Sequence, residues 1–262
     1  MFGVQDGRRA NPEMTEPDTE ARVAQSQWID SLDDSEALRV MLASQAGAAR
    51  AVEAALLPIA AAVEAMTARL VMNDSARIIY AGAGTSIRVA VQDGVELRPT
   101  FDWPSGRVAY LVAGGHGALM SAVENAEDDV EAARDGVREL ELGPSDILIA
   151  LSASGGTPFT CAAVDLAAKT GALTIGIANN DGSPLLAKAE IAIPILTGAE
   201  AVAGSTRLKA ATAQKICLNM ISTLVMTRLG YVRDGQMIAM KPSNAKLRAR
   251  YDRIHDDGED AN

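Results

Sequence analysis

The chain has 262 residues, 48% of them apolar and 3% aromatic, and carries a formal charge of −10. That apolar share excludes a disordered chain, and an acidic balance without a basic cluster excludes a nucleic-acid binder, because phosphate contacts need grouped Lys and Arg. Cys161 and Cys217 stand in apolar stretches and read as core packing rather than a disulfide, while His116 and His255 are too far apart to suggest a metal site.

Residues 1–27 are polar and Pro-containing, with an Arg8-Arg9 pair, and read as an arm rather than a signal peptide. No apolar run approaches a membrane span, so no membrane partner and a reducing, cytoplasmic setting are expected. Residues 28–72 predict helices. Asp34 and Ser35 are candidate caps for the first, and a second runs from about Ala48 to Leu70, with a kink or break expected at Pro58. From Arg77 short apolar runs alternate with helical segments. The runs are Ile78–Ala81, Val108–Val112, Ile147–Leu151, Leu173–Ile177 and Ile191–Ile195. Their lack of polar alternation fits strands buried on both faces. The helical segments lie at about Ser86–Glu96, Ala126–Leu140, Pro158–Thr170, Pro184–Lys188 and Arg207–Leu229. The fold class is therefore α/β: a three-layer sandwich with a five-stranded parallel sheet over residues 73–232 and N-terminal helices before it. Residues 233–262 form a charged tail ending near Asp256-Asp257-Gly258-Glu259-Asp260.

Ligands of an open parallel sheet bind at the carboxyl ends of its strands, where strand order reverses. The loop after the first strand holds Gly84, Thr85 and Ser86, in which glycine lets the backbone approach a ligand and the hydroxyls stand at a helix start. A dinucleotide fingerprint fails there, since Ile87 occupies its third glycine position. The loop after the third strand offers Ser152, Ser154, Gly155 and Thr157, with Pro158 suited to the next helix's first turn. No lysine follows in P-loop spacing, which argues against nucleotide hydrolysis. Each loop alone also fits a capped strand-to-helix turn. Two at equivalent strand ends point to the oxygens of a phosphate monoester.

Those loops resemble the sugar isomerase (SIS) domain family, and further stretches narrow the likeness. Gly82–Ser86, Asp93–Phe101, Ala113–Gly115, Ala122–Asp128, Ser154–Pro158, Gly204–Lys209 and Thr212–Lys215 together resemble the N-acetylmuramic acid 6-phosphate etherases, from about Ile29 to Lys246. The resemblance implies a carbon–oxygen lyase without cofactor or metal. Its phosphosugar substrate loses D-lactate by elimination across C2 and C3, followed by hydration. It also implies Glu96 as the acid and Glu127 as the C2 base, both near the ligand end of the sheet. Glu200 is similar to a glutamate lining SIS sugar sites, and Arg207 and Lys209 either balance the phosphate or pair with acids.

The sequence departs from the etherase pattern at Ile87, which adds bulk beside the first loop, at Gly156 where arginine is usual, and at His116 where glutamate is common. It also stops short of the family's C-terminal helical region. These departures leave room for another phosphosugar acid as substrate, for a non-catalytic phosphosugar-binding regulator, and for a sugar-phosphate isomerase. SIS domains commonly pair with sites completed by the neighbouring subunit. A homodimer is therefore expected, with the N-terminal helices or the segment Ile216–Leu229 as its surface.

Overall fold

A computed structural model describes residues 17–240 and Arg248. The Arg8-Arg9 pair, His255 and the acidic run from Asp256 lie outside the described residues.

Helix α1 spans Asp34–Ala54 and α2 spans Leu56–Met72. The cap of α1 is Asp33, one residue before the expected pair, and its side chain accepts from the Glu36 N–H at 2.9 Å. The two helices meet at 60° around Ala55. The break thus precedes Pro58, which falls in the first turn of α2, where a missing N–H costs nothing.

Five strands follow: β1 (Ile78–Gly82), β2 (Val108–Val112), β3 (Ile147–Ser152), β4 (Leu173–Ala178) and β5 (Ile191–Pro194). All are parallel, in the order β2-β1-β3-β4-β5, as the apolar runs predict. The three inner strands are buried throughout, and β2 and β5 form half-buried edges. Between them run α3 (Gly84–Phe101), α4 (Val130–Glu139), α5 (Pro158–Lys169) and α6 (Pro184–Lys188), and α7 (Lys209–Arg228) comes after β5.

Successive strand residues face opposite ways. Ile78, Tyr80, Ile147, Ile149 and Ile175 pack with α1, α2, α3 and α7 on one face. Ile79, Ala81, Leu148 and Ala150 pack with α4, α5 and α6 on the other. Burying each large aliphatic side chain contributes about 2 kcal/mol, so this two-faced pattern fixes the register of every inner strand.

Two helix limits differ from expectation in ways that matter for the site. Helix α3 continues past Glu96 to Phe101, and Asp102 in the left-handed region (φ 52°) ends it. Helix α4 begins only at Val130, because the Asp129 side chain caps it by accepting from Ala132 N–H at 2.9 Å; residues Ala126–Asp128 form a separate 3-10 turn. Past Tyr231, strands β6 (Val232–Arg233) and β7 (Gln236–Met237) form a small antiparallel hairpin. No single helix among the described residues is long and apolar enough to cross a membrane.

Candidate functional site

Strand order reverses between β1 and β3, so the crevice at their carboxyl ends is where the fold presents a ligand. Gly84 opens α3 at φ 53°, and Thr85 and Ser86 follow in its first turn. Across the crevice, Gly155 adopts φ 70° and turns the β3 loop back on itself. Its N–H donates to Ser152 Oγ at 3.0 Å, and that hydroxyl lies 2.8 Å from Thr157 Oγ1 and 3.3 Å from Ser154 Oγ. Gly156 N–H donates to Ser154 Oγ at 3.2 Å. The loop is therefore a ring of hydroxyls held in place by the backbone it belongs to.

Both loops open into one cavity of about 310 Å³, lined by Gly84, Thr85, Ser86, Ser152, Ser154 and Thr157 among others. Helices α3 and α5 both start at this cavity. The first N–H groups of α3 have no intrahelical acceptor, and the dipoles of both helices favour an anion, so the place suits a phosphate ester. Glu127, on the 126–128 turn, also lines the cavity; its Oε1 lies 3.2 Å from where a β-carbon on Gly84 would stand. Among the described residues the lining includes two carboxylates, Glu20 and Glu127, and no Lys or Arg.

The sequence-predicted residues divide. The hydroxyl residues, Gly84 and Glu127 come together in the cavity, while Gly155 shapes its loop without lining it. Glu96 does not join them. It is exposed on α3, 12 residues after Gly84, and thus about 18 Å along the helix. The expectation that it lies at the ligand end of the sheet is corrected, because α3 runs three turns away from that end before reaching it. Glu200 is fully buried and accepts from the N–H groups of Lys209 at 3.0 Å and Ala210 at 2.8 Å; it caps α7 instead of lining a sugar site. Lys209 Nζ donates to the Ala199 carbonyl at 2.7 Å, and Arg207 is exposed outside the cavity lining. Neither cation balances a phosphate there within one chain.

The departures noted in the sequence also fall elsewhere. Ile87 packs into the core beneath α3, so it adds no bulk to the cavity. Gly156 is exposed beyond the lining. His116 lines a larger cavity of about 780 Å³ along the β2 edge, with Tyr110, Glu124 and Asp135. That cavity is larger, yet neither hydroxyl loop reaches it, and the site is assigned on chemistry to the smaller one.

Sequence reasoning missed Glu20, Gly204 and Thr206, which complete the wall. Gly204 and Thr206 lie in a stretch that carried the family likeness, which was the available signal. Glu20 comes from the N-terminal segment, whose composition gave none. Pro17–Glu20 is tied to the strand ends: Asn180 Nδ2 donates to Thr19 Oγ1 at 3.1 Å and to the Ala153 carbonyl at 2.9 Å. Thr19 N–H donates to Asn180 Oδ1 at 3.2 Å, and Gly204 N–H to the Thr19 carbonyl at 3.1 Å.

Behind the site, the buried Asp93 carboxylate ties α3 to α7. It accepts from Tyr80 OH at 3.1 Å, Asn219 Nδ2 at 2.7 Å and Ser222 Oγ at 3.0 Å. Burial, with Asp93 adding to it, holds the Tyr80 phenol well above its ordinary value. Burial also pushes Tyr110 up to about 12. Among the described residues no group of His, Cys, Asp and Glu is placed to hold a metal ion.

Comparison with known proteins identifies the relatives of this chain. Residues 122–224 match the SIS domain model, and residues 59–168 match the glucokinase regulatory protein N-terminal SIS domain model. The N-acetylmuramic acid 6-phosphate etherase of Deinococcus radiodurans is 44% identical over 235 residues, covering 89% of this chain and 76% of that protein. The etherase of Streptomyces coelicolor is 45% identical over 236 residues, covering 90% and 75%. Among solved structures, a phosphoheptose isomerase from Francisella tularensis superposes with a TM-score of 0.59 at 18% identity, covering 75% of this chain and all of that one, which establishes the shared fold.

Proposed function

The chain belongs to the N-acetylmuramic acid 6-phosphate etherase family, and from that premise we propose that it cleaves the D-lactyl ether of N-acetylmuramic acid 6-phosphate, giving N-acetylglucosamine 6-phosphate and D-lactate. The observation that carries the reading is the meeting of Thr85, Ser86, Ser152, Ser154 and Thr157 with the Glu127 carboxylate in one cavity at two helix starts.

In this reading the hydroxyls and first-turn N–H groups hold the phosphate. Glu127 takes the proton from C2 of the open-chain aldehyde. The electron pair forms the C2–C3 double bond as the C3–O bond breaks, and the lactate oxygen takes a proton from a general acid. Water then adds at C3 while a proton returns to C2. Glu96 is the acid implied by the family likeness, and within one chain it stands too far from the cavity to act. The reading therefore includes a homodimer in which a second copy presents Glu96. Leu38 and Leu42 on α1, Leu57 on α2, and Met220 and Leu224 on α7 are exposed apolar side chains that suit such a contact. Cys161 and Cys217, both free thiols, suit the reducing cytoplasm.

The match to a regulatory protein's domain favours one alternative, a phosphosugar sensor without turnover. Incubation with N-acetylmuramic acid 6-phosphate and enzymatic assay of D-lactate separates the two. Lactate released in step with substrate loss supports the etherase. Tight phosphosugar binding without lactate supports the sensor and overturns the etherase.

A further inference from the structure

We propose that Glu20 is a substrate-selecting residue: it accepts a hydrogen bond from the sugar portion of the ligand and discourages bare phosphate from occupying the cavity. The inference rests on reading this cavity as a phosphosugar site, and it adds a residue that the family likeness did not assign.

The segment bearing Glu20 is fixed in place. Thr19 is fully buried and bonds through its hydroxyl, N–H and carbonyl to Asn180 and Gly204, while Glu20 N–H closes the turn onto the Pro17 carbonyl at 2.8 Å. Asn180 in turn grips the Ala153 carbonyl within the hydroxyl loop, so Glu20 is indexed directly to the phosphate-holding backbone. Gly204 makes room for the carboxylate. It adopts φ 73°, and a β-carbon there would come within 2.5 Å of Glu20 Oε2.

A carboxylate beside a phosphate cradle is unfavourable for the anion taken alone. Among the described residues the cavity lining offers hydroxyls, amides and two carboxylates, without a cation. Free phosphate would meet that repulsion and gain nothing in return. A phosphosugar carries hydroxyl and amide donors on the same molecule, and a hydrogen bond to a carboxylate is stronger than one to a neutral acceptor. Glu20 therefore converts a general anion site into one that requires a donor-bearing body attached to the ester.

The test compares binding of N-acetylglucosamine 6-phosphate and of inorganic phosphate by calorimetry, using the full chain, Glu20→Gln and Gly204→Ala. Loss of one hydrogen bond to a charged group predicts sugar-phosphate binding weakened about tenfold in Glu20→Gln. Inorganic phosphate should bind more tightly to the same variant, as one repulsive charge is gone. Gly204→Ala keeps the charge but displaces it, and should weaken the sugar phosphate alone. Opposite movement of the two ligands is something a merely structural role would not produce. Parallel weakening of both, or no change in either, overturns the proposal. Because binding is the readout, a chain that releases no lactate but shows the opposite shifts loses the etherase reading and keeps Glu20. A chain that releases lactate without those shifts keeps the etherase reading and loses Glu20.

Discussion

Glu127 reaches back over Gly84, with Oε1 lying 3.2 Å from the position of a β-carbon on that glycine. The glycine is also held at φ 53°, in the left-handed region that other L-residues reach only at a cost of about 1–2 kcal/mol. The position therefore couples the phosphate-side backbone to the proposed base. Glu127→Gln should lower kcat by roughly 10²–10⁴ with KM little changed, the usual loss of a general base. Gly84→Ala should raise KM and lower kcat together, since it disturbs the N–H groups and the carboxylate at once. Steady-state kinetics on the two variants checks this, and a Glu127→Gln variant with full turnover would remove the assignment.

Asp93 holds three neutral donors from β1 and α7, and α3 is thereby pinned at its middle. Asp93→Ala would take the shared acceptor from Tyr80 and Ser222, which are buried, and from Asn219, which is exposed. Asn219 can turn to water, so the loss falls mainly on the buried Tyr80 and Ser222 hydroxyls and amounts to about 2 kcal/mol. Denaturant unfolding should show that loss as a lower midpoint with unchanged slope. Asp93→Asn keeps one acceptor oxygen and should cost less. Equal stability of wild type and Asp93→Ala would mean that the network contributes nothing net.

Neither cysteine should behave as a reactive thiol while the chain is folded. Burial pushes Cys217 up to about 12, with the nearby Asp93 charge adding to it, and burial raises Cys161 as well. The thiolate is the attacking form, so alkylation at pH 8 should proceed only as fast as unfolding exposes the groups. The sign of the linked stability follows. Each folded value lies above the unfolded one, so the contribution is complete below the ordinary thiol range and falls away as pH climbs toward about 12. Tyr80, raised by burial in the same region, acts in the same direction. Mass spectrometry after iodoacetamide treatment, with and without denaturant, reads the outcome directly. Rapid native labelling of Cys217 would contradict the packing described.

The sheet was legible because its inner strands are buried on both faces, and continuous runs such as Ile147–Leu151 carry that fact in one dimension. The two hydroxyl loops were legible for a related reason: strand order and local spacing alone bring Ser86 and Ser154 to the same crevice. Other features depend on contacts between distant parts of the chain. Glu20 reaches the cavity through the Thr19–Asn180 pairing, which spans 161 positions, and the Gly204 N–H bond to the Thr19 carbonyl. Glu200 reads as a site residue in sequence, and only the approach of the α7 N-terminus reveals a cap. Glu96 was expected at a helix end, and α3 instead runs on through it to Phe101, with Pro99 in its last turn. Proline tolerates that place because a helix can close its final turn around the residue that loses one N–H bond.

That position of Glu96 yields the sharpest outcome. If acid and base came from the same chain, Glu96 would have to cross about three helical turns to meet Glu127. If a second copy supplies Glu96, each site draws its base from one subunit and its acid from the other. Glu96→Gln and Glu127→Gln proteins should then each be inactive alone and partly active when mixed and allowed to exchange subunits. In a mixed pair, one site receives both substituted residues and the other receives both native ones. Random exchange makes about half of all pairs mixed, so about a quarter of wild-type lactate release should return. Native mass spectrometry of the mixed pairs reports exchange itself, and light scattering reports the paired state. No recovery despite proven exchange would overturn the shared site, and full lactate release by Glu96→Gln alone would remove Glu96 from the reaction.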